Sequence, residues 1–223
     1  TSSSFSTLRY SVILDVTPLI KHAKKLDHFF FLDFAFLIAK TARFIPELRY
    51  RYKDGVPLDC YSIEPSYVIT AEESAPFVLA PDFSSISYHF TLKKFGQAIN
   101  DAIKRPCKRS SIITKTPNLS NIIISRCPKL AIADFFAKDT DPQTISSIPH
   151  FSWFDYSKQR RPKSFFEPNK KSRISFCETV HILQLFVDVD PSLVHQRSIE
   201  RFEKELQLRI DDCNNILTNK ISY

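Results

Sequence analysis

Glycine is scarce in this sequence, with two residues, Gly55 and Gly96, in a chain of 223. Phosphate-binding loops of the GxGxxG and P-loop types need several closely spaced glycines, and the GxSxG nucleophile turn needs two. The sequence contains none of these motifs. It therefore excludes dinucleotide-binding, P-loop and α/β-hydrolase sites of these kinds.

Cysteine spacing and hydrophobic runs exclude two further classes. The five cysteines form no CxxC motif and no short Cys/His pair, a pattern typical of reduced, mostly structural thiols. A spanning helix needs about 20 consecutive apolar residues, whereas the best candidate, 29–39, is short and contains Asp33. With no signal peptide or membrane anchor, we expect an intracellular protein, cytoplasmic or organellar, without a membrane partner.

Methionine is also absent, so we expect that the sequence starts after its initiator or is a piece of a longer chain. A chain of 25.8 kDa with 43% hydrophobic residues and 20 phenylalanines can bury a sizeable core. We expect one domain over residues 1–223.

Positive charge is concentrated in two clusters, and the formal net charge is +7. Such clusters can bind phosphate-rich partners, although a solvated surface is the alternative and neither cluster has the interleaved aromatic residues of a nucleic-acid platform. The first cluster, on which a nucleic-acid hypothesis depends, is Lys93, Lys94, Lys104, Arg105, Lys108, Arg109 and Lys115. The second is Lys158, Arg160, Arg161, Lys163, Lys170, Lys171 and Arg173.

Local signals predict alternating strands and helices. Thr17 is expected to be the N-cap of a short helix with Pro18 in its first turn, and Asp27 to cap a central helix over 29–44. Asp54-Gly55 predicts a hairpin. Further strands are expected at 9–16, 48–53, 57–62, 67–70, 77–80, 122–125, 143–156 (broken by Pro149) and 173–182, with a helix at 87–103. The stretch 105–141 is basic and rich in Ser, Thr and Pro, which predicts a variable, partly looped segment.

The stretch 183–207 carries the clearest unit, a buried strand followed by a turn and an amphipathic helix. The strand is so apolar that we expect both of its faces to be covered, and Pro191 should end it. Ile199, Phe202, Leu206 and Ile210 are spaced to line one helical face. The turn would lie at a sheet end, where open α/β sheets usually hold ligands.

Four segments resemble the chloramphenicol acetyltransferase family in the same order along the chain. FIPELRYRYKDG resembles the family's IPEFR segment and hairpin, YSIEPSYVI its DPSYT segment, SSIPHFSWFDYS its SxxPWxxFxSFN segment, and 183–207 its C-terminal strand, turn and helix. The resemblance covers 8–207 and implies an α/β two-layer sandwich, with a mixed sheet packed by helices on one face. It also implies a homotrimer whose active sites lie between two subunits and use acetyl-CoA.

The same resemblance implies which residues would carry the chemistry. The family's motif in the turn is HHxxxDG, and its second His is the catalytic base. Over this motif, Asp190 and Pro191 replace the two histidines, while His195 and Gln196 take the places of the Asp and Gly. Counted from Pro149, the family's oxyanion-stabilising Ser falls on Asp155. Proline cannot accept a proton, so a base that contributes a factor of roughly 10² to 10⁴ to the rate is missing. An ionised carboxylate cannot donate a hydrogen bond, so an oxyanion donor that contributes a factor of roughly 10² to 10³ is missing as well.

We therefore expect a catalytically degenerate protein of this family, without a cofactor, that acts as a structural or binding module in a homotrimer or among unlike subunits. The alternative is an active acetyl-CoA-dependent O-acetyltransferase with His195 as a relocated base, because histidine titrates near neutral pH. Asp188 and Asp190 alternate on one strand face, but two carboxylates without further ligands do not predict a metal site.

Overall fold

A mixed sheet forms one layer of the protein in the computed structural model, which describes residues 7–27, 30–61, 63–69, 77–79, 119–126, 141–167 and 172–218. Within these ranges the sheet order is β1-β9-β7-β6-β4-β5, and β8 also pairs with β9. The pairs β4·β6 and β6·β7 are parallel and the others are antiparallel. The strands are β1 (Leu8–Asp15), β2 (Tyr50–Lys53), β3 (Val56–Asp59), β4 (Glu64–Ile69), β5 (Phe77–Leu79), β6 (Asn121–Ser125), β7 (His150–Trp153), β8 (Ser157–Glu167) and β9 (Ser172–Val189).

Helices form the second layer and bury the core against one face of this sheet. Phe34 of the central helix, Trp153 of β7 and Phe202 of the C-terminal helix are all buried in one hydrophobic cluster. The predicted apolar stripe of that C-terminal helix is buried as expected. This architecture confirms the predicted fold class. The helices are α1 (Thr17–Leu26), α2 (Phe30–Arg43), α3 (Pro142–Ser146), α4 (Gln196–Asp211) and α5 (Cys213–Thr218), with a 3₁₀ turn at Pro46–Arg49.

Strand β9 is longer and less buried than the sequence predicts. The expected strand at 173–182 and the buried strand after it are one continuous strand, Ser172–Val189. Leu183, Leu185 and Val187 face the core, whereas Gln184 is exposed and Phe186 is half-buried. The prediction that both faces are covered is therefore wrong at these positions, because the second face of β9 is only partly covered.

The segment before β7 was predicted as strand, but part of it is helical. Residues 142–146 form α3, and only 150–153 form a strand. The side chain of Asp141 accepts hydrogen bonds from the backbone N–H groups of Gln143 and Thr144 at 3.3 and 2.9 Å, and Pro142 follows in the first turn. An N-cap aspartate followed by proline is a helix-start signal, and it outweighs the strand propensity here.

Both ends of α1 also differ from the prediction. Val16 is the N-cap residue, and Thr17 is the first helical residue. The Thr17 hydroxyl instead accepts the backbone N–H of His181 at 2.7 Å, which ties α1 to β9. Asp27 does not begin α2; it ends α1 in the left-handed conformation with φ of 55°.

The predicted helix at 87–103, the first basic cluster and residues 127–140 of the variable stretch lie outside the described ranges. No helix in the described part of the chain is long and apolar enough to cross a membrane. The expected Asp54-Gly55 hairpin is present between β2 and β3, and both turn residues have positive φ, 53° and 75°, as a tight hairpin turn requires.

Arg51 of this hairpin is fully buried and connects it to the main sheet. Its guanidinium donates to the carbonyl oxygens of Leu48 and Tyr50 at 2.9 and 2.7 Å, and to that of Asn121 on β6 at 3.0 Å. Burial lowers the pKa of Arg51 to about 10, so the side chain is still charged at neutral pH.

We predict that Arg51→Ala lowers the free energy of unfolding by about 3 kcal/mol, because three carbonyl oxygens, that of Leu48 buried and those of Tyr50 and Asn121 partly buried, lose a charged donor. Urea denaturation followed by circular dichroism measures this change. Lys53→Ala is the matched control on the same strand: Lys53 is exposed, and its replacement should change stability by less than about 0.5 kcal/mol. Equal unfolding midpoints for the two variants would show that Arg51 does not hold the hairpin.

Candidate functional site

The turn after β9 is built around the carboxylate of Asp190. One carboxylate oxygen accepts the backbone N–H and the hydroxyl of Ser192 at 2.9 and 2.6 Å. The other accepts the hydroxyl of Ser146 on α3 at 2.9 Å. The Asp190 carbonyl accepts the N–H groups of Leu193 and Val194 at 3.1 and 3.0 Å. Asp190 thus shapes the turn that was expected to carry the chemistry.

Pro191 lies in this turn, and it ends β9 as predicted, since the strand stops at Val189. Its ring is half-buried and contains no group that can take up a proton. The neighbouring Ser192 hydroxyl lies 3.1 Å from the Tyr52 hydroxyl on β2. The polar side chains around Pro191 are therefore neutral hydroxyls and one carboxylate that is already hydrogen-bonded.

His195 is at the N-cap position of α4 and is exposed. Its carbonyl accepts the N–H groups of Ser198 and Ile199 at 3.0 and 3.4 Å, but its side chain makes no capping hydrogen bond. Within the described ranges, no carboxylate is hydrogen-bonded to its ring. A histidine base normally has such a partner to fix its orientation, so the geometry leaves His195 without the usual support.

Asp155 follows β7 and forms an ion pair with Arg126, which follows β6. The carboxylate is 84% exposed and the guanidinium 56% exposed. An ionised carboxylate only accepts hydrogen bonds, so Asp155 does not supply a donor to a negatively charged oxygen.

A cavity of about 300 Å³ adjoins this ion pair. Its walls are mainly aromatic, and Arg126 and Asp155 complete the lining. Trp153, the single tryptophan of the chain, lies with its ring centroid 5.6 Å from that of Phe31. The volume is at the lower end of ordinary ligand pockets. The aromatic members are Phe30, Phe31, Trp153, Phe154 and Tyr156.

The sheet register separates Pro191 from Asp155. His150 pairs with Asp188 and Trp153 pairs with Leu185, so Asp155 is level with residue 183 and Pro191 lies eight residues farther along. At roughly 3.3 Å per residue this is about 25 Å. The two positions cannot meet within one chain.

A hydrogen-bonded network that runs from exposed Arg9 to buried Ser125 crosses four strands, and sequence reasoning missed it. Arg9 on β1 donates two hydrogen bonds to Asp188 on β9, at 2.6 and 2.8 Å. Asp188 also accepts from Nδ1 of His150 on β7 at 3.1 Å, and Nε2 of His150 lies 2.9 Å from the Ser125 hydroxyl on β6. His150 is fully buried.

The order Ser125, His150, Asp188 is similar to that of a hydrolase triad. Neither Ser125 nor His150 has exposed surface, however, and a nucleophile must be reached by its substrate. Both ring nitrogens of His150 are already engaged, Nδ1 by Asp188 and Nε2 by Ser125. We therefore interpret the network as structural.

The suggested cation site at Asp188 and Asp190 is not supported by their contacts. Asp188 accepts from Arg9 and His150, and Asp190 accepts from Ser146 and Ser192. Across the described ranges, no three His, Cys, Asp or Glu side chains converge as metal ligands would.

Comparison with known proteins identifies the family. The sequence profile of chloramphenicol acetyltransferase matches residues 3–186. The chain belongs to the chloramphenicol acetyltransferase family. A comparison with curated protein sequences found no match. The matched residues end before the turn at 190–194, so the profile covers the Asp155 segment but not the positions of the HHxxxDG motif.

Several solved structures have a fold similar to that of this chain. A chloramphenicol acetyltransferase is similar with a TM-score of 0.60 at 16% identity, over 92% of this chain and 89% of that one. A probable dihydrolipoamide acetyltransferase from Listeria monocytogenes gives 0.61 at 11% identity, over 98% and 88%. The cubic core of a pyruvate dehydrogenase multienzyme complex gives 0.58 at 12% identity, over 96% and 85%. At these identities the similarity establishes the fold alone.

We predict that Asp188→Asn lowers the free energy of unfolding by about 3 kcal/mol at neutral pH, because it leaves Arg9 and His150 without their carboxylate. Burial alone would raise the pKa of Asp188, but the hydrogen bonds and charges of Arg9 and His150 outweigh it and lower that pKa. The carboxylate therefore contributes stability above the unfolded-state pKa of about 3.9, and this contribution is lost as pH falls through the lower folded-state pKa.

Urea denaturation at neutral and at strongly acidic pH tests this prediction, since the difference between the natural chain and the variant should shrink in acid. Asp155→Asn is the control, because its ion pair is largely exposed and should contribute no more than about 1 kcal/mol. An Asp188→Asn effect that does not depend on pH would contradict the assigned role.

Proposed function

We propose that this chloramphenicol acetyltransferase-like protein has lost acetyl transfer and serves as a binding or structural module. The observation that carries the proposal is the turn at 190–194, where the position of the family's base is Pro191. The Asp190 carboxylate holds this turn through Ser146 and Ser192, so the turn keeps a defined shape, contains no histidine, and has its one carboxylate already engaged in hydrogen bonds.

Asp155 supports the same conclusion from a separate segment. In an acyl transfer, a donor at this position would stabilise the negative oxygen of the tetrahedral intermediate. A carboxylate there repels that oxygen, and its Arg126 partner is already engaged in the ion pair. Pro191 and Asp155 lie in separate segments of the chain, and each is expected to slow acetyl transfer whether or not the other is present.

The second candidate function is an active acetyl-CoA-dependent O-acetyltransferase with His195 as its base. The protonation range of histidine favours it. Its exposed position and the lack of an orienting carboxylate within the described ranges argue against it. A third candidate, nucleic-acid contact, depends on Lys93, Lys94, Lys104, Arg105, Lys108 and Arg109, which lie outside the described residues.

Assembly is part of the proposal. Pro191 and Asp155 are about 25 Å apart in one chain by the register of the sheet, so a complete site of the family's kind needs a second copy. The structural neighbours include a subunit of a multienzyme core. We propose a homotrimer or an assembly with unlike subunits.

We predict that the purified protein releases thiol from acetyl-CoA, with chloramphenicol or other hydroxyl acceptors, at least about 10⁴-fold more slowly than an active chloramphenicol acetyltransferase. The factor combines the expected losses of the base and of the oxyanion donor. A spectrophotometric thiol assay measures it, with the active enzyme as the positive control.

Two variants distinguish the candidate functions. Turnover that is abolished by His195→Ala but retained in Arg197→Ala, an exposed neighbour, would establish the second candidate. Ligand binding without turnover is followed separately by the fluorescence of Trp153, because this single tryptophan lines the aromatic cavity. Quenching by coenzyme A with no thiol release would favour a binding module. The absence of both quenching and thiol release would favour a structural module.

We predict that the protein in solution has three times the 25.8 kDa mass of the chain, because the separated site positions are brought together by neighbouring copies. Light scattering coupled to size-exclusion chromatography measures the mass. A monomer at micromolar concentration would exclude the homotrimer, and co-purification with unlike chains in a fixed ratio would favour the mixed assembly.

A further inference from the structure

A second cavity lies between α1 and the β8–β9 ribbon, near the middle of β9. Its volume is about 410 Å³. Three cationic side chains line it: Lys21 and Lys25 from α1, and Arg161 from β8. Lys21 and Lys25 are one helical turn apart and therefore lie on the same side of α1, so positive charge borders the cavity on two walls.

The carboxylates in this lining neutralise the cations only in part. Arg161 lies 3.3 Å from Asp15, and Lys21 lies 3.8 Å from Glu178. Both cations are more than half exposed, and exposed ion pairs of this kind contribute little. Lys25 has no ion-pair partner in the described part of the chain. The lining therefore carries three positive and two negative charges. An anion can displace the carboxylate from either of the two exposed ion pairs.

The surroundings of the cavity add further positive charge. His181 lies beside it on β9, and its backbone N–H is bound by Thr17 of the lining. The pKa of His181 is lowered, first by burial and next by the charges of Lys158 and Lys24, with a smaller contribution from Lys21 and an opposing one from Asp15. Lys158 and Lys24 are therefore further cations near the cavity.

Neutral groups of the lining favour an anion as well. Thr17 and Pro18 belong to the first turn of α1, a ten-residue helix, and the N-terminal turn of a helix carries a partial positive charge. Asn214 of α5 contributes an amide, whose oxygen lies 2.9 Å from Nδ1 of His22. The apolar residues of the lining are Pro18 and Val180.

We infer that this cavity, hereafter the cationic cleft, binds a small polyanion of the diphosphate or triphosphate class. Cations on two facing walls suit an anion whose charge is spread over more than one group, and a single carboxylate or chloride would engage one wall only. A volume of about 410 Å³ admits a small molecule and not a nucleic-acid duplex. The inference does not depend on whether acetyl transfer has been lost.

Isothermal titration calorimetry with inorganic pyrophosphate tests the cationic cleft in the full chain. We expect saturable 1:1 binding that weakens with added salt. Lys25→Gln and Arg161→Gln should each weaken it about 10- to 100-fold, the effect of losing one hydrogen bond to a charged group. Arg161→Lys keeps the charge and should retain most of the affinity. Lys204→Gln, on the exposed side of α4, is the matched control and should bind as the natural chain does.

A second measurement locates the ligand. An anion bound in the cleft beside Lys21 and Lys25 stabilises the protonated imidazole, so pyrophosphate should raise the pKa of His181 in an NMR titration. The groups whose charges act on His181 are Lys158, Lys24, Asp15 and Lys21, and the Tyr156 ring packs against it. The inference is overturned if pyrophosphate does not bind, if Lys204→Gln weakens binding as much as Arg161→Gln, or if only long polyanions such as duplex DNA bind.

Discussion

The pairing of β9 with three other strands is the constraint on which the rest of the structure depends. β9 pairs with β1 along one edge and with β7 and β8 along the other. Because side chains alternate between the two faces, this register sends Leu185 and Val187 into the helical layer and Asp188 toward Arg9 and His150. A shift of one residue would reverse every one of these assignments.

The same strand shows how the fold of the family can be kept when the turn that follows it changes. The core side of β9 is independent of the turn that follows, so replacing a histidine with Pro191 leaves the packing of Phe202 and Leu206 intact. The turn is stabilised by Asp190, which bonds to neutral hydroxyls and backbone N–H groups. The fold of this protein therefore does not depend on the side chains of the turn, as expected when function resides in a few side chains placed on a common fold.

Local signals account for the correct structural predictions and for the wrong ones. The Asp54-Gly55 hairpin, the apolar helix α2 and the buried stripe of α4 each follow from neighbouring residues along the chain. The helix α3 was missed although Asp141 and Pro142 signal it, because the strand propensity of the following residues was given more weight. Thr17 was misassigned because its hydroxyl accepts the His181 N–H, a contact between residues far apart in sequence.

The sequence by itself determined that a proline stands at 191 and a carboxylate at 155, the positions where the resemblance to the family leads us to expect a base and an oxyanion donor. These conclusions need only the chemical nature of each side chain and its place in a motif. The tertiary structure alone decided that His150 is buried between Asp188 and Ser125, that Pro191 and Asp155 lie at opposite ends of the sheet, and that Lys25 and Arg161 border one cleft. The physical reason is that strand pairing and helix packing join residues separated by tens to more than a hundred positions, and no local periodicity encodes those contacts.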